Sequence, residues 1–181
     1  TRRYPMENVP GETHDHPHHR GLWFSHGDVN GYDFWGNEPS QHSAKSGRIV
    51  LKSVGKGKGV GDCGVRDATF DWVEPRGKVL LTESRQMIFY AEPARRVIDF
   101  DITLAPAEKV TFGDTKEGTF AIRLAPSLEE PTPESLAEPR RTGRMVDSEG
   151  RRGEPQVWGH RASWVDYFGE IDGEKLGIAI L

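Results

Sequence analysis

Five of the seven histidines in this 181-residue chain fall within a short stretch: His14, His16, His18, His19 and His26. Imidazole changes charge near neutral pH and offers a nitrogen lone pair when neutral, so such a cluster suits two chemistries. His16, His18 and His19 are candidate acid–base groups. His14, His16, His18 and His26 are a candidate ligand set for a divalent metal. A third reading is structural, with the rings hydrogen-bonded to each other, to Asp15 and to backbone carbonyls. In an extended segment His14, His16 and His18 would project to one side. Pro17 biases His16 toward extended backbone, and its missing N–H favours a loop or a sheet edge. A cupin-like metal site would need a Glu a few residues after the His16/His18 pair, and Arg20–Leu22 supplies none.

Other residues add to this chemistry. Glu117, beside Asp114 and Lys116, is a candidate general base at the entrance to a strand; an ordinary Lys–Glu turn is the alternative. Arg123 is a candidate grip for a carboxylate or a sugar hydroxyl. Trp23 and Trp35 flank the histidines, and an indole face suits the C–H face of a sugar as well as it suits a core. His160, beside Trp158 and Arg161, is a candidate to join the site from a distant part of the chain. The Gly57–Gly61 run lacks the Gly-Lys-Ser/Thr ending and the following helix of a phosphate loop, so it reads as a hairpin. Cys63 is the sole cysteine, which excludes an internal disulfide and a cysteine-based zinc site.

The elements that must position these groups read as strands. With 21 Gly and 12 Pro the chain is interrupted too often for long helices. Apolar and polar residues alternate over Val97–Leu104 and Thr119–Leu124. Arg48–Val54, Ala68–Val73, Val79–Tyr90, Ala162–Phe168 and Lys175–Leu181 are further strands, separated by turns such as Pro75-Arg76-Gly77 and Ile171-Asp172-Gly173-Glu174. The expectation is an all-β protein, an antiparallel β-sandwich forming one domain over 1–181. Residues 129–154, rich in Pro, Glu and Arg, read as a long irregular insertion, with one helical turn at Pro133–Leu136. The chain opens on Thr1 and closes on the apolar run Leu176–Leu181, so a fragment, incomplete at both ends, is expected.

Composition narrows the function. A net charge of −4 and a pI near 6.0 lack the basic footprint of a general nucleic-acid binder. Mean hydropathy is −0.65, and no apolar run approaches the roughly 20 residues of a membrane helix. The expected partner is a small molecule or glycan, with no nucleic acid and no membrane insertion. The expected location is soluble, with export of a full-length precursor left open.

The run from His14-Asp-His-Pro-His-His-Arg-Gly-Leu-Trp through to Trp35 resembles the signature of a bacterial family labelled PmoA-like, or DUF6807. The stretches from Gly113 to Arg123 and from Trp158 to Tyr167 resemble it too, so the likeness spans nearly the whole chain. It implies a longer domain, and a fold similar to galactose-mutarotase-like supersandwiches, many of which handle sugars. The label implies methane oxidation, a chemistry tied to a membrane-embedded subunit with spanning helices, which this chain lacks. Three functions follow. The first is a carbohydrate isomerase or lyase using the histidines and Glu117, with Trp23, Trp35, Arg123 and His160 on the substrate. The second is a histidine-ligated, metal-dependent enzyme of oxygenase type. The third is a non-catalytic glycan-binding module.

Overall fold

The computed structural model describes residues 1–8, 12, 14–131 and 141–181. The described chain is nearly all β, with antiparallel pairing throughout its larger sheets. It divides into two compact units. The first comprises Thr1–Trp23 and Phe120–Leu181, and the second Phe24–Thr119. The chain passes from one to the other along β1 (Leu22–His26) and β7 (Gly118–Ile122), which pair as a two-stranded sheet. The bonds Arg123 N–H to Gly21 O (2.7 Å) and Gly27 N–H to Glu117 O (2.8 Å) bracket that pairing.

In the second unit β2 (Arg48–Val54), β4 (Cys63–Val73), β5 (Val79–Tyr90) and β6 (Val97–Pro106) lie in the order β2-β4-β5-β6. Short β3 (Lys58–Val60) adds to β4 through a tight turn in which Gly61 takes a φ of +56°, a conformation open to glycine at little cost. Period-two alternation gives the sheet one apolar face. On it Ile49, Trp72 and Leu81 stand in register across three strands. Trp72 and Leu81 join Val29, Phe34 and Leu80 in the core of this unit. The indole N–H of Trp72 donates to Glu83 at 2.9 Å. Arg85 Nε donates to the other Glu83 oxygen at 2.7 Å, and its guanidinium lies over the Phe70 ring. The buried carboxylate is thus satisfied within the sheet face.

The first unit holds β8 (Arg144–Asp147), β9 (Val165–Ile171) and β10 (Glu174–Ile180), ordered β10-β9-β8. The β9–β10 hairpin turns through Asp172 and Gly173, both with positive φ, as the Asp-Gly pair implies. A 3-10 turn at Pro126–Leu128 packs against β9 so closely that a Cβ on Gly169 would stand 2.3 Å from the Ser127 carbonyl oxygen.

Two expectations are corrected here. The stretch 129–154 is not irregular throughout: β8 lies in it, and α1 (Glu154–Val157) starts at its end. Buried Asp147 stops β8, taking the N–H groups of Glu149 and Arg151 on one oxygen and Arg151 Nε on the other. The helical turn read at Pro133–Leu136 lies outside the described residues. The second correction concerns His16, whose φ is +46°, so the histidine segment turns instead of running extended. The bonds His19 N–H to His16 O and Arg20 N–H to His18 O, each 2.9 Å, close that turn. The left-handed backbone costs about 1–2 kcal/mol, offset here by the anchoring of Asp15 and His16.

Candidate functional site

Asp15 is the hub of the first unit's polar cluster. Its Oδ1 accepts from Arg2 Nη1 at 2.6 Å and from Arg123 Nη2 at 2.8 Å. Its Oδ2 stands 2.6 Å from His16 Nδ1. Arg2, only 2% exposed, also donates to the carbonyls of Asp15 and His16, at 2.8 and 3.3 Å. The backbone bond Arg2 N–H to Arg123 O ties the first residues of the chain to the end of β7. Burial pushes the Asp15 carboxyl up, but the bonds from His16 and Arg2 and the charge and bond of Arg123 outweigh it. Asp15 is held well below the usual carboxylate range. An ionised carboxylate only accepts, so His16 Nδ1 is the donor, and the neutral tautomer that this bond selects carries its lone pair on Nε2.

His19 stacks between His16 (centroids 4.8 Å apart) and Trp23 (4.2 Å), with His18 edge-on at 4.3 Å. Burial, and then repulsion from the neighbouring His18 and His16 rings whenever these carry a proton and from the Arg123 and Arg2 cations, lowers its pKa from 6.5 to about 4. His19 is therefore neutral at pH 7, and its buried Nδ1 has no hydrogen-bond partner. His14 stacks on Tyr4 at 4.5 Å instead of joining these rings.

Beside Asp15 opens a cavity of about 530 Å³. Asp15, Arg123, Glu129 and Arg141 supply its charge, and Phe120, Ile122, Leu124, Tyr167 and Ile180 its apolar wall. Glu129 bridges two guanidinium groups, with Arg141 Nε at 3.4 Å and Arg123 Nε at 3.7 Å. Acceptors and donors alternate along this rim with no excess of either charge among the four lining residues.

The remaining predicted residues are spread over both units. Glu117 lies in the second unit, partly exposed, with Lys116 Nζ at 3.2 Å. Trp35 also lies there, its backbone N–H bonded to Asp33. His26 is buried there, its Nε2 2.9 Å from the Gly113 carbonyl, which makes that nitrogen the N–H. Its Nδ1 is buried without a partner against Gly118, where a Cβ would come within 2.5 Å. His160 is exposed in the first unit and lines a second cavity. Among the described residues no three or more His, Cys, Asp or Glu side chains are grouped to hold a metal ion. His14, His16 and His18 form no such set, and His26 belongs to the other unit. Stacking explains part of this, because rings packed face to face do not aim their nitrogens at one point. Sequence reasoning missed Arg2, Glu129, Arg141 and Tyr167, and took Asp15 only as a structural partner.

No described helix is long and apolar enough to cross a membrane. No curated protein and no solved structure matches the chain. Its sequence matches the profile of the family of unknown function DUF6807 over residues 5–181, which takes in every group of the Asp15 cluster except Arg2. With a match over nearly all its length, the chain belongs to that family.

Proposed function

We propose that the protein is an enzyme that moves a proton on a carbohydrate or a related polyhydroxy compound. The carrying observation is the Asp15–His16 pair at 2.6 Å, with Asp15 kept ionised by two arginines. A carboxylate on one ring nitrogen fixes the tautomer and raises the basicity of the other, the arrangement by which an imidazole becomes a positioned general base. His16 does not itself line the cavity but is bonded to Asp15, which does. Its Nε2 takes a proton from carbon next to a carbonyl of a substrate held beside Asp15, and the C–H electron pair moves onto the carbonyl oxygen. Passage of the α-hydroxyl proton to that oxygen and return of the carbon proton to the former carbonyl carbon isomerises the substrate. Alternatively the electron pair re-forms the carbonyl and expels the β-oxygen, which leaves as water or an alcohol with the proton His16 took up. Arg123 is the cation at hand for the developing oxyanion. Neutral His19 donates or accepts a hydrogen bond without adding charge.

The cavity favours a polyhydroxy substrate because each hydroxyl both donates and accepts, matching a rim of alternating carboxylate and guanidinium groups. The ring of Tyr167 and the neighbouring aliphatic wall suit the C–H face of a sugar. The base role falls to His16 in place of Glu117, whose carboxylate pairs with Lys116.

The test is proton exchange. The protein is incubated in deuterated water with a panel of aldoses, ketoses and sugar acids, and deuterium uptake at carbon is followed by NMR. Wild type should label at least one compound, and His16→Ala should lose about 100-fold or more of that rate. Sugar binding with no exchange in any variant, wild type included, would leave a glycan-binding module in place of an enzyme.

A further inference from the structure

A second cavity, of about 610 Å³, lies in the same unit and shares four of its lining residues with the first: Glu129, Arg141, Tyr167 and Ile180. Its distinctive groups are Trp158, Trp164 and His160. Trp158 is 68% exposed, a large apolar surface left in water at a concave site. The segment carrying these rings is fixed in place. Trp158 N–H bonds to Glu154 O at 2.8 Å, capping α1, and His160 Nδ1 stands 3.1 Å from the Trp158 carbonyl. Ser163 N–H donates to Ser148 Oγ, and Ser148 N–H to Trp164 O. Glu130 braces the floor, accepting the N–H of Met145 on one oxygen and that of Glu154 on the other. Burial, and then the charges of Glu154 and Glu130, push the Tyr167 phenol up, so the residue common to both cavities stays a neutral hydroxyl.

We infer that these cavities are successive subsites for one linear oligosaccharide. A sugar unit in the first cavity lies beside Asp15, and the next units extend past Tyr167, Glu129 and Arg141 onto the indoles of Trp158 and Trp164. An exposed indole beside fixed polar groups offers a flat apolar face to a pyranose ring, while carboxylate, guanidinium and phenol groups bond its hydroxyls. A monosaccharide bound in the first cavity would leave the second open. The substrate class is therefore an oligomeric glycan. This inference rests on the carbohydrate reading above.

The test is a chain-length series. Binding of glucose, galactose, mannose and xylose, and of their linear di- to pentasaccharides, is measured by calorimetry and by quenching of tryptophan fluorescence. At least one series should gain about tenfold in affinity from monosaccharide to trisaccharide, in line with one or two added aromatic contacts. Trp158→Ala and Trp164→Ala should each remove most of that gain and leave the monosaccharide affinity unchanged, while Trp158→Phe keeps part of it. Affinity independent of length, or a gain that survives both alanine variants, overturns the second subsite and leaves the carbohydrate reading standing. Wild type that binds no sugar of any length overturns both.

Discussion

Glu83 and Asp15 are both carboxylates clasped by guanidinium groups, in opposite surroundings. Glu83 is completely buried, one oxygen on the Trp72 indole and the other on Arg85, inside the apolar face of the second unit's sheet. Asp15 keeps a third of its side chain open, holds two arginines and an imidazole, and lines a cavity. Glu83 satisfies donors its own sheet provides, which is what a packed core requires. Asp15 gathers groups from three separate stretches of chain around a hollow and fixes the tautomer of a ring. The same ion-pair chemistry holds a core together in one place and prepares a reactive group in the other.

Removing the core partner should have the largest effect. Trp72→Ala is expected to destabilise the protein by about 3–5 kcal/mol, since it empties a large buried volume and leaves one oxygen of buried Glu83 without its donor. Urea unfolding reads this, and a loss below about 1 kcal/mol would remove the contrast with Asp15. Asp15→Asn should cost stability less, about 1–3 kcal/mol. It should nevertheless lower any deuterium exchange on sugar carbon by about 100-fold or more, because the His16 tautomer is no longer held. Stability loss matching Trp72→Ala, with exchange untouched, would make Asp15 a second structural carboxylate.

The pH dependence of stability gives a smaller effect. His19 is neutral in both folded and unfolded chains above pH 6.5. Between 6.5 and about 4 the unfolded ring takes up a proton that the folded ring refuses, so stability falls as the pH drops. After allowance for solvent screening the loss is on the order of 2 kcal/mol. The lowered pKa of Asp15 adds a further loss at more acid pH, once the unfolded carboxyl begins to protonate. Denaturant midpoints measured from pH 7.5 to 4 should show the first slope, and His19→Phe should flatten it. Glu117→Gln should change least. It removes one exposed ion pair, and a shift in midpoint worth more than about 0.5 kcal/mol would show an interaction beyond the Lys116 pair.

Strands were the legible part of the sequence, because alternation is a local signal. β2 and β5 run as the pattern over Arg48–Val54 and Val79–Tyr90 implied. β8 escaped because its buried positions are Met145 and Asp147, and an aspartate satisfied by Arg151 reads as a polar residue in a polar stretch. The histidine segment was legible as chemistry and misread as geometry. Pro17 argued for extended backbone at His16, while the neighbouring Asp15 is anchored by Arg2, near the start of the chain, and by distant Arg123. No period or spacing encodes a contact across more than a hundred residues. The Trp158 and Trp164 cavity showed in the sequence only as Trp158 beside His160, because its outline depends on β9, β10 and the Glu130 brace.

Proton abstraction by His16 requires the Asp15 bond to hold the ring proton on Nδ1, and nitrogen-15 NMR of the imidazole rings at pH 8 reads that pattern. The expected result is a proton on Nδ1 and a bare Nε2 at His16, with that pattern lost in Asp15→Asn. A proton resident on Nε2 in the wild-type protein, or an Nδ1–H tautomer that survives the Asp15 substitution, would remove Asp15 as the group that prepares His16.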